Sequence, residues 1–65
     1  MQVPLEDGGD IEILRVRDPR ARRIRLSVGD RGARLTLPPR ASLAAGERFV
    51  LEHRAWLVEQ LGRHA

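Results

Sequence analysis

The side chains in this sequence that could do chemistry are two histidines, three hydroxyls, a set of arginines, and carboxylates scattered among turns and the polar helix face. His53 and His64 are eleven residues apart, about 16 Å along one helix, whereas zinc bonds nitrogen at about 2 Å. They cannot share an ion within one copy of the chain, and with no cysteine there is no thiolate ligand and no disulfide. His53 falls on the apolar arc of its helix and reads as a partly buried structural side chain. His64 reads as solvated. Ser27, Thr36 and Ser42 have no histidine near them in sequence to act as a base, and Ser42 is explained as a helix cap. Gly8-Gly9 and the glycines of Gly29-Asp30-Arg31-Gly32 lack the spacing and the lysine of a phosphate-binding loop. No catalytic, cofactor-binding or metal-binding residue is expected in this chain.

What remains is arginine. All twelve basic residues are arginine, the net charge is +3, and nine carboxylates dilute the field. Arg15, Arg17, Arg23, Arg25 and Arg34 are expected to gather on the sheet face away from the helix, a stripe able to neutralise phosphates. The plainer reading is a solvated strand face, because no aromatic residue interleaves to stack bases. Three-stranded sheets backed by a helix do occur in modules that lay the sheet into a DNA groove. A nucleic-acid-binding module therefore stands as the alternative function, by analogy of fold.

Strands and helix can be read from the apolar pattern. A chain of 65 residues, 42% hydrophobic and 32% charged, makes one small globular domain. Residues 1–10, with Pro4 and Asp7-Gly8-Gly9-Asp10, read as a flexible lead-in, and 11–63 as the domain. Ile11-Glu12-Ile13-Leu14-Arg15-Val16-Arg17 is strand-like, but its alternation changes phase between Ile13 and Leu14, which a bulge or a frayed first half would explain. Asp18-Pro19 makes a turn. Arg23 to Val28 alternates cleanly, Gly29-Asp30-Arg31-Gly32 turns, and Ala33 to Leu37 returns, a hairpin ended by Pro38-Pro39.

After Ser42 the period becomes helical. Leu43, Gly46, Phe49, Val50, His53, Trp56, Leu57, Gln60 and Leu61 fall within an arc of roughly 140°. Arg48 with Glu52 and Glu59 with Arg63 are four apart and suited to weak surface pairs. Gly62 reads as the residue that stops the helix. The implied fold is α+β, a three-stranded, mostly antiparallel sheet with one C-terminal helix packed on one face, anchored by Trp56. The longest apolar runs, such as Phe49-Val50-Leu51, are too short to span a bilayer, and the start lacks a signal-peptide pattern. The chain therefore reads as cytoplasmic.

Three segments carry a resemblance: Arg17-Asp18-Pro19-Arg20-Ala21-Arg22-Arg23-Ile24-Arg25-Leu26-Ser27-Val28; Ala33-Arg34-Leu35-Thr36-Leu37-Pro38-Pro39-Arg40-Ala41-Ser42; and Phe49-Val50 followed by His53-Arg54-Ala55-Trp56-Leu57. In that order they resemble the amino-terminal segment of the YgjP-like metallopeptidase family, bacterial metal-dependent hydrolases. The resemblance covers about Ile11 to Leu61. It implies a family whose zinc is held by a later helical H-E-x-x-H and a further histidine, with the glutamate activating water. No position here matches those ligands. The implied role is a noncatalytic accessory domain, structural or substrate-facing, beside a downstream or separate hydrolase domain.

Overall fold

The computed structural model of the chain describes residues 1–5 and 8–63. Strands form where the sequence alternates, as β1 (Gln2–Pro4), β2 (Asp10–Arg17), β3 (Arg25–Gly29) and β4 (Gly32–Leu37), and the helical period becomes α1 (Leu43–Glu52) and α2 (Arg54–Arg63). The class is α+β, a four-stranded mixed sheet in the order β1-β2-β4-β3 followed by two helices. The expected three-stranded, mostly antiparallel sheet with one helix is corrected in strand number, pairing and helix number.

β4 folds back on β3 as expected, with Leu26 opposite Leu35 and Val28 opposite Ala33. The turn resolves at Gly32, whose φ of +99° is a conformation glycine adopts without a Cβ clash. On its other side β4 pairs in parallel with β2, from Ile13 beside Ala33 to Arg17 beside Leu37. β4 thus lies between β2 and β3, and the connection from Asp18 to Ile24 must cross it. That crossing covers two strand spacings, about 9.5 Å, more than a tight turn spans.

The amino-terminal residues belong to the sheet. Val3 pairs opposite Ile11 and is 1% exposed, so residues 2–4 of the expected lead-in form β1. Leu5 N–H donates to Gly9 C=O at 2.7 Å to close the connection to β2. Asp7 lies outside the described residues. β2 carries no bulge, since its register runs unbroken through both pairings. Ile11 and Ile13 join the core with Ala33, Leu35 and Leu37, while Leu14 and Val16 alternate to the open face. The apparent phase change comes from apolar residues standing on both faces.

Ser42 caps α1, its Oγ accepting the Ala45 N–H at 3.0 Å, which satisfies one free donor of the first turn. The helical stretch is interrupted at His53 (φ −107°, ψ 17°). Its ring Nδ1 donates to the Phe49 carbonyl at 2.8 Å, and the ring stacks on Phe49 with centroids 4.2 Å apart. His53 is exposed rather than partly buried, so its structural part is played at the surface, as a cap. α2 continues through Gly62, so that glycine does not stop the helix. Glu59 and Arg63 pair across its last turn at 3.0 Å, whereas Arg48 and Glu52 form no ion pair. No helix among the described residues is long and apolar enough to cross a membrane.

The inward stripe of the helices is Gly46, Val50 and Leu57. Phe49 and Trp56 stand about 80–100° to one side, at the rim of the predicted arc, whereas His53, near its middle, is where the helical stretch breaks. Trp56 is 41% exposed and Leu57 fully buried, which corrects the expectation that Trp56 anchors helix to sheet. Leu57→Ala is therefore expected to cost about 2–5 kcal/mol and to unfold much of the population, as for other fully buried leucines. Trp56→Ala should cost about 1–2 kcal/mol, in proportion to its partial burial. Thermal melts followed by circular dichroism check the order, and a larger loss for Trp56→Ala would refute it.

Candidate functional site

Because β2 and β4 run in parallel, their carboxyl ends, Arg17 and Leu37, lie side by side. β3 starts at the same end, with Arg25 beside Thr36. The two connections that leave this end, 18–24 and 38–42, are its outer layer. Sequence and topology together thus bring Arg17, Arg20, Arg22, Arg23, Arg25 and Arg40 to one end of the molecule, where Asp18 is the single carboxylate of those segments.

The loop is shaped by Asp18. Its N–H donates to the Leu37 carbonyl at 2.9 Å, extending the parallel ladder by one residue, and its carbonyl accepts the Ala21 N–H at 3.1 Å. Its Oδ1 accepts the Arg20 N–H at 2.9 Å. A short acidic side chain that bonds the backbone two residues on builds a turn locally, and Pro19 fixes φ inside it. A cleft of about 460 Å³ opens beside this turn, lined by Asp18, Arg20, Arg22, Arg23, Arg25 and Thr36. Among the described residues, none of these four guanidinium groups has a hydrogen bond or ion pair to another group. Like charges gathered around one hollow repel each other and create a positive potential that an anion relieves.

The predicted stripe of Arg15, Arg17, Arg23, Arg25 and Arg34 is not a single surface. Arg23 and Arg25 meet in the cleft. Arg15 and Arg17 stand beside Leu35 and Leu37 in the parallel register, hence on the helix side of the sheet, opposite to the expected face. Arg34 is on the open face beside Leu14 and opposite Ser27, at the edge of a second hollow of about 350 Å³ near the hairpin tip. Leu14 beside it is 57% exposed, so this part of the open face is apolar as well as basic. Such a stripe requires every arginine of an alternating strand to face away from the core. β2 breaks that rule.

Arg17 has a task of its own. Its Nη1 donates to the carbonyls of Pro38, Pro39 and Ala41 at 2.8, 3.2 and 2.9 Å. Pro38 and Pro39 interrupt the strand, and the guanidinium gathers carbonyls that the sheet no longer uses, fixing the entry to α1. Sequence reasoning missed Arg20 and Arg22 as cleft residues. The signal was the dense run Arg20-Ala21-Arg22-Arg23 in a connection too long for a tight hairpin.

The other chemical side chains are separate from this cleft or peripheral to it. Ser42 is held as a cap, Thr36 lines the cleft, and His53 borders a shallow hollow of about 210 Å³ with Leu26, Phe49 and Trp56. His64 lies outside the described residues. The described residues contain no group of three or more histidine, aspartate or glutamate side chains placed to hold a metal ion. Compared with protein-family models, curated proteins and solved structures, the chain matches none.

Arg17 and the cleft arginines should separate experimentally. Arg17→Gln is expected to lower stability by about 1–2 kcal/mol through the loss of charge-assisted bonds to three carbonyls. Arg22→Gln should stay within about 0.5 kcal/mol of the parent, as exposed sites usually do. Urea denaturation of both variants checks this, and equal effects would remove the structural role given to Arg17.

Proposed function

We propose that this chain is the noncatalytic amino-terminal accessory module of a bacterial, cytoplasmic YgjP-like metal-dependent hydrolase, structural or substrate-facing beside a hydrolase domain that follows it or associates with it. In this reading the zinc ligands and the water-activating glutamate belong to that other domain, and this chain holds no cofactor. The segments that carry the resemblance support it by forming one unit, from the end of β2 across the hairpin and the capped turn to α2.

The observation that carries the reading is the division of labour between two adjacent residues. Leu57 turns into the core and Trp56 stays 41% exposed, with Leu51 at 40% and Val58 at 46% also uncovered. Trp56 shares its hollow with Phe49, His53 and Leu26. Large apolar side chains left open on a domain this small are suited to contact with another domain. The Trp-Leu pair is also the last motif of the resemblance, so the residue that closes the motif is the one left to be covered.

Two results are expected. The native reading frame, or a neighbouring one, should encode H-E-x-x-H within about one further domain length, on the order of a hundred residues. Trp56 is the only tryptophan, so the emission of the isolated chain should be that of a part-solvated indole and should shift to the blue when the hydrolase domain is added. A gene neighbourhood without the motif, or an emission spectrum unmoved by the added domain, would refute the reading.

A further inference from the structure

From the arginine end we infer a second activity, independent of the hydrolase reading: the cleft of Arg20, Arg22, Arg23 and Arg25 binds the phosphodiester backbone of nucleic acid without regard to base sequence. Four guanidinium groups line one open hollow of about 460 Å³ with a single carboxylate, and that carboxylate is engaged by the loop's own backbone. Arg17 and Arg40 stand on the same end, and the positive end of the α1 dipole adds to their field.

The shape and lining choose among anions. An open cleft at the edge of a sheet leaves a small ion mostly solvated, whereas a polymer carrying a charge every few ångströms along its length can engage several guanidinium groups at once. Arginine suits this task, because its planar fork donates to two phosphate oxygens together. The lining has no aromatic ring on which a base could stack, and arginines ringed around an open hollow meet the phosphate oxygens that every base sequence presents. It also has no large apolar side chain to enter a bilayer, which sets a lipid surface aside. The nucleic-acid contact thus lies at the end of the sheet and not on its flat face, with Arg20 and Arg22 in place of Arg15, Arg17 and Arg34.

The test is a fluorescence anisotropy titration of the whole chain with labelled single-stranded and duplex oligonucleotides between about 50 and 200 mM salt. Four phosphate contacts give a slope of log affinity against log salt near −3 for single strands and near −3.6 for duplex, at about 0.7 and 0.9 per contact; the steeper-than-unit dependence in either arm is expected. Replacing Arg20, Arg22, Arg23 and Arg25 together with glutamine should weaken binding at least about tenfold at the low-salt end and flatten the slope to less than about 1 in magnitude. Replacing Arg15, Arg31, Arg34 and Arg48 removes the same charge elsewhere and should change affinity less than about threefold, while lysine at the four cleft positions should keep the slope. If the fourfold glutamine variant does not fold, Arg22→Gln and Arg23→Gln singly should each reduce the slope by about one contact. The inference is overturned if the parent chain does not bind at low salt, if both charge-matched sets lose affinity equally, or if poly-glutamate of matched length competes as well as the oligonucleotide.

Discussion

The core is set by how closely α1 approaches β4. A Cβ on Gly46 would lie 2.8 Å from Leu37 Cδ2 and 3.2 Å from Leu35 Cδ2, so glycine here is a packing requirement despite a helix cost of about 1 kcal/mol. This approach closes a core that holds Val50, Leu57, Leu35 and Leu37, all of them at 0–1% exposure. In a domain whose net stability is about 3–5 kcal/mol, each such side chain, at about 1.5–3 kcal/mol of burial, is a large share of the total. The helices lie on β3 and β4. Val3, Ile11 and Ile13, on the other half of the sheet, complete the same core with the help of β1.

From the position of β4 follows the distribution of charge. Once β4 is inserted between β2 and β3, the parallel pair sends two carboxyl ends in one direction and makes the Asp18–Ile24 loop cross over them. Arginines scattered through the sequence then become neighbours, while Asp10 and Asp30 fall at the opposite end, with the β1–β2 and β3–β4 turns. Along a body 32 Å in its longest extent, this makes a polar distribution from a net charge of only +3. The apolar rim of Phe49 and Trp56 lies on the helices. The surface proposed for a partner domain and the cleft proposed for nucleic acid are therefore lined by different residues.

Much of this was legible in the residues themselves. The β3–β4 hairpin followed from the clean alternation of Ile24 to Val28 and Ala33 to Leu37, and the start of α1 from Ser42, because both depend on near neighbours in the chain. β1 was not legible, since Gln2–Pro4 is short and contains a proline that belongs on an edge strand. The parallel pairing of β2 with β4 is long-range and leaves no local periodic mark. Its one trace is a connection too long for a tight turn. Trp56 was misplaced because a wide helical arc contains both its deepest residues and its rim, and side-chain size does not tell them apart. The arginine site was half visible: Arg23 and Arg25 came from a strand pattern, whereas Arg20 and Arg22 are brought to them by the topology.

The arginine end thus rests on the pairing of β2, which backbone nuclear Overhauser contacts report. Contacts joining Arg15 to Leu35 and Arg17 to Leu37 in the parallel pattern are expected, with the Asp18 amide protected by its bond to Leu37. Contacts joining Arg15 and Arg17 to residues of β3 instead, as in a simple antiparallel meander, would contradict the account, because β4 would no longer lie beneath the loop that carries Arg20, Arg22 and Arg23.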